Sequence, residues 1–96
     1  MTKKNKEKPI KVMDVVLVSW EDAVCNEAQC SYEHAKHDRP LMVHTAGLLI
    51  KDTKESVTLT SSYVETDEVK YTHTIPKTWV TKIEKLGSLS LFKEKR

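Results

Sequence analysis

The residues best suited to chemistry lie in one short run, CNEAQCSYEHAKH, which spaces Cys25, Cys30, His34 and His37 as Cys-x4-Cys-x3-His-x2-His. Thiolates and imidazoles are the usual ligands of zinc, four donors held at about 2.0–2.3 Å from one ion. If the run is helical, as Asn-Glu-Ala-Gln suggests, Cys30, His34 and His37 share one face, being four and three residues apart. Cys25 then points about 140° away from Cys30, and Cys30 and His37 lie about 10.5 Å apart along the axis, too far to hold one ion. A loop wrapped around the metal would want a tight turn between the cysteines, and NEAQ contains no turn former. Zinc held by Cys25, Cys30, His34 and His37 therefore ranks behind a plain helix with a polar face, and no cofactor is expected. A nucleophilic Cys30 with His34 as its base would also need an oxyanion site and an orienting group, and the neighbourhood declares neither.

Other reactive patterns are weaker. His44-Thr45 and His73-Thr74 fall in expected strands, but two-histidine phosphodiester chemistry needs one residue between the two so that both side chains face the same way. Glu21-Asp22 reads as negative charge at a helix start more readily than as an acid/base pair. With two glycines in the chain there is no phosphate-cradling loop and no nucleophile elbow. An enzyme is not expected.

The elements that would position these residues are mostly strands. The first element runs from about Ile10 to Trp20, apolar on both faces in its middle and β-branched, which suits a central strand. Asp22 is placed to cap a helix whose apolar stripe is Val24, Cys25, Ala28, Tyr32 and Ala35, ending before Pro40. LMVHTAGLLIK reads as a second strand bent at Gly47, and DTKE, Asp52 to Glu55, as a turn. SVTLTSSYV and VKYTHTI alternate with period 2, placing Val57, Leu59 and Tyr63 inward on one and Val69, Tyr71, His73 and Ile75 inward on the other. The two should form a hairpin across Glu65 to Glu68. Pro76 ends the ladder, Pro-Lys-Thr-Trp makes one tight turn, and Val80 to Leu86 is a short last strand. This order describes a mainly β protein, a five-stranded SH3-like or Sm-like barrel with one helix inserted between strands 1 and 2. Residues 10–87 form the domain, 1–9 a basic flexible arm and 88–96 an apolar then basic tail, whose SLSLF invites pairing.

Net charge is +2 over 96 residues, but its distribution is more telling. Residues 1 to 11 carry five lysines against Glu7, while residues 12 to 92 hold eight basic and twelve acidic groups. A surface built to grip a phosphate backbone keeps its positive charge on the folded face. Here only the ends offer weak nucleic-acid contact. The apolar stretch Val12 to Val18 is interrupted by Asp14 and has no cleavage site after it, so neither a signal peptide nor a membrane span is expected. The setting expected is cytoplasmic, with reduced thiols.

Among six large rings, Trp79 and Trp20 are the candidate anchors at a barrel rim, with Lys77 beside them and Tyr32, His34 and His37 on the excursion as further partner-binding candidates. Ser19-Trp20-Glu21-Asp22-Ala23, Gly47-Leu48-Leu49 and Ile75-Pro76-Lys77 followed by Ile83 and Leu86 resemble a group of small, mostly uncharacterised tailed-phage proteins. The likeness covers about residues 12 to 86. Such proteins often carry a second Trp in the variable connection, where this chain has Tyr32 and the Cys/His cluster. The resemblance implies a phage accessory protein made in the host cytoplasm. The expected function is non-enzymatic binding of a host protein or small nucleotide, as an oligomer. The alternatives are an Sm-like nucleic-acid-binding protein using its basic termini and a small zinc-binding domain.

Overall fold

The computed structural model describes residues 8 to 23 and 29 to 93. Five antiparallel strands form one sheet, β1 (Lys11–Asp22), β2 (Leu41–Asp52), β3 (Ser56–Val64), β4 (Glu68–Pro76) and β5 (Val80–Leu91), in the order β4-β3-β2-β1-β5. The mainly β class holds. The closed barrel does not: the sheet is open, with β4 and β5 at its edges. Among the described residues, no helix is long and apolar enough to cross a membrane.

β1 is the central strand its composition requires, pairing with β2 along one edge and β5 along the other. Its Val16 and Val18 meet Val57 and Leu59 of β3 and Ile75 of β4 in a small buried cluster, flanked by Trp20, Leu49, Val80 and Ile83. Each fully buried aliphatic contributes about 2 kcal/mol by leaving water. Packing β1 against β3 across the intervening β2 requires a bent sheet.

Gly47 sits at the bend. Next to it, Leu48 pairs with both Val15 of β1 and Thr60 of β3, so β2 changes partner there. A Cβ on Gly47 would lie 2.7 Å from the Thr60 carbonyl oxygen, closer than any side chain tolerates. The β2–β3 turn is held by the Thr53 hydroxyl, which accepts from the backbone N–H groups of Glu55 and Ser56. That is the local hydrogen bonding that makes Thr a turn residue.

One short helix lies between β1 and β2, as expected, but its start is a correction. β1 does not stop for a cap at Asp22; it runs to Asp22, which pairs with Leu41 at the end of the β1–β2 ladder. The helix, α1, is a single turn, Tyr32–Ala35, capped by the Ser31 hydroxyl, which accepts from His34 N–H at 3.1 Å. None of its residues is buried. A helix this short needs a tertiary surface to cover its apolar face, and α1 has none among the described residues. Val24, Cys25 and Ala28 lie outside those residues.

β4 is the second correction. Val69, Tyr71 and His73, expected inward, are exposed, and only Ile75 is buried. β4 is an edge paired with β3 alone, so alternation sorts its side chains onto two faces without anything covering the inner one. Tyr71 has φ of 59°, a left-handed conformation that breaks the pleat, and it is 74 % exposed. The hairpin itself is as expected, a three-residue loop ending in Asp67 at φ 70°.

β5 also differs. The strand expected to end at Leu86 runs on to Leu91, with Leu89 against Met13 and Leu91 against Lys11. Ser88 to Leu91 therefore pair within the chain, against Lys11 to Asp14 at the start of β1.

Candidate functional site

The corner where β1 ends and β5 begins brings together the two tryptophans. A 3-10 turn, Lys77–Trp79, precedes β5 and carries Trp79, while Trp20 sits two residues before the end of β1. Trp20 ↔ Val80 is the last pair of the β1–β5 ladder, so the turn is delivered against the end of β1. The two rings stack, with centroids 6.1 Å apart and planes 15° apart. Trp20 is fixed by its indole N–H, which donates to the Thr45 hydroxyl at 3.0 Å, and by its contact with the core. Trp79 remains 43 % exposed.

Beside Trp79 lies a groove of about 240 Å³ lined by Glu21, Asp22, Ala23, Pro40, Thr78 and Trp79. Sequence reasoning placed Trp20 and Trp79 at a rim but missed Glu21, Asp22, Pro40 and Thr78. Glu21 and Asp22 were read as a helix start, and Pro40 as a helix stop. The observation that unites them is the strand ladder ending at Asp22 and Leu41, which no local pattern announces.

The remaining candidates are dispersed. Lys77 pairs with Asp52, and its backbone N–H donates to the Glu55 carbonyl, so it straps the 3-10 turn to the β2–β3 turn. Tyr32 is exposed under the Lys36 ammonium, which also pairs with Glu33. Cys30, His34 and His37 are exposed, and among the described residues no group of three or more His, Cys, Asp or Glu is placed to hold a metal ion. Cys25 lies outside the described residues.

Two other arrangements have chemical character. Ser19 Oγ lies 2.8 Å from His44 Nδ1 across the β1–β2 ladder. An activated serine needs its histidine oriented by a third group, and among the described residues His44 has no second polar partner. At the other end of the sheet, the Tyr63 hydroxyl donates to Asp67 at 2.7 Å, and Lys11 lies 3.4 Å from the same carboxylate. These three help line a groove of about 420 Å³ with Met13, Leu49 and Val69. The Tyr63 hydrogen bond first, and then Lys11, hold the Asp67 carboxyl below its ordinary range, while the bond to Asp67 raises the Tyr63 phenol. Lys11, the first residue of β1, is thereby engaged by a carboxylate.

No protein family, curated protein or solved structure matches this chain.

Proposed function

We propose that the protein is a non-catalytic binding module that holds a segment of a partner protein at the Trp79 groove. The observation that carries this reading is the Trp20–Trp79 stack, which fixes one ring on the core and leaves the other exposed at the wall of a groove. A rigid, half-exposed indole is the kind of anchor around which peptide-recognition surfaces are built. The groove is smaller than the roughly 300–1,000 Å³ of small-molecule sites, and its two carboxylates repel phosphate, so a protein segment fits it better than a nucleotide. The strand order, with a 3-10 turn before the last strand, supports an SH3-like relation. The tailed-phage resemblance supports action on a host protein in the host cytoplasm.

Self-association belongs to the same reading. The outer edge of β5 ends in LGSLSLF, with Leu86, Leu89 and Phe92 exposed and no charge from Leu86 through Phe92. A long uncharged edge is a template for pairing with another copy.

The test is selection of a displayed peptide library on the wild-type chain with counter-selection on Trp79→Ala. The reading expects an enriched consensus that binds the variant at least tenfold more weakly. Peptides that bind both proteins equally, or no enrichment at all, would overturn it.

A further inference from the structure

We propose that the Trp79 groove receives a cationic side chain, an arginine foremost, carried by an extended segment of the partner; this rests on the binding-module reading above. The groove is formed from three kinds of surface. Trp79 supplies an aromatic wall: Trp20 stacks on one side of its ring and is not among the lining residues, while Trp79 itself lines the groove and stays 43 % exposed. Aromatic faces attract cations electrostatically, Trp most strongly. Pro40 and Ala23 supply apolar surface against which the methylene stem of a long basic side chain can lie. Glu21 and Asp22, the last two residues of β1, make the rest of the lining acidic.

Those two carboxylates differ from five others among the described residues. Asp14, Glu33, Asp52, Asp67 and Glu84 each hold a lysine. Glu21 and Asp22 make no ion pair with any described residue, and among the described residues no lysine or arginine lines the groove. Among the described residues the groove thus joins two acidic residues without an ion pair to a half-exposed indole, an arrangement that complements a cation. Its volume of about 240 Å³ suits one long side chain. Arginine fits better than lysine because its planar guanidinium can stack on the indole while its edge donates to a carboxylate in the same plane.

The experiment follows the indole N–H signals of the full-length protein by NMR, assigned with Trp79→Phe. The probes are the capped peptide Ser-Pro-Ala-Arg-Pro-Ala-Ser and the same peptide with citrulline, which keeps the shape of arginine and removes its charge. The expected result is a saturable shift of the Trp79 signal with the arginine peptide, binding at least tenfold weaker with citrulline, and at least threefold loss in Glu21→Gln or Asp22→Asn, both with unchanged backbone spectra. Equal binding of the two peptides, or arginine binding that survives the double variant, overturns the cation assignment while leaving a peptide groove in place. A library consensus that depends on Trp79 but contains no basic residue does the same. If neither probe shifts Trp79 and the library enriches nothing, both readings fall. If deleting residues 1–9 alone shifts the Trp79 signal as ligand release would, the occupant is the chain's own lysine arm, and the assignment to a partner is overturned.

Discussion

The ring of Trp79 lies on that of Trp20, 6.1 Å between centroids, and the two residues serve different ends within one stack. Trp20 is packed on the core and tied to Thr45, so Trp20→Ala should cost about 3 kcal/mol. Trp79→Ala should cost about 1 kcal/mol, the scale of an aromatic stack, while weakening peptide binding at least tenfold. Urea unfolding of both variants, read by circular dichroism, checks this. Equal destabilisation would show that Trp79 is a core residue and not an anchor.

The two glycines should respond oppositely. Gly47→Ala forces a Cβ to 2.7 Å from the Thr60 carbonyl, backbone that cannot swing aside, and should destabilise by about 1–3 kcal/mol. Gly87→Ala meets nothing within 4 Å and should change the unfolding midpoint little. A well-tolerated alanine at Gly47 would contradict the close approach of β2 and β3 at the bend.

The Tyr63–Asp67–Lys11 contact makes a signed pH prediction. Asp67 has its folded value depressed, so its contribution to stability is present above its ordinary value, near pH 4, and is lost as pH falls through the depressed one. Tyr63 is raised, so its contribution is present below about pH 10 and is lost as pH rises through its folded value. Asp67→Asn should flatten the acid limb of the unfolding midpoint plotted against pH. An acid limb identical to wild type would show that the contact carries no measurable linkage. Both groups are open to solvent, and the effect should shrink with added salt.

The outer edge of β5 should govern oligomeric state. Sedimentation of the wild type is expected to show a dimer or larger species, and Leu89→Lys, which puts charge into the uncharged edge, should yield monomer. Val69→Lys on β4, an edge that already carries Glu68 and Lys70, should leave the mass unchanged. A monomeric wild type would retire self-association through β5.

The Ser19–His44 pair should be chemically inert. A fluorophosphonate probe is expected to leave Ser19 unlabelled at neutral pH, as judged by intact mass, because His44 lacks an orienting partner among the described residues. Stoichiometric labelling lost in His44→Ala would reopen an enzymatic reading.

By itself the sequence determined the five strands, their two turns, the bend at Gly47 and the tight turn before the last strand. Each of these is local: alternation over a few residues sets the faces of a strand, and Thr53, Gly47 and Pro76 act on their own backbone. Tertiary structure alone decided what covers each face. Alternation assigned Tyr71 and His73 to the side of Ile75 but could not reveal that the outer part of β4 has no layer above it. The apolar stripe after Asp22 reads as a helix capped there, yet the ladder to Leu41 claims Asp22, and α1 starts at its own cap, Ser31, with none of its residues buried. For the same reason the groove was invisible beforehand, since Glu21, Pro40 and Trp79 are joined only by long-range strand pairing, which depends on which segments meet and not on the pattern within any one of them.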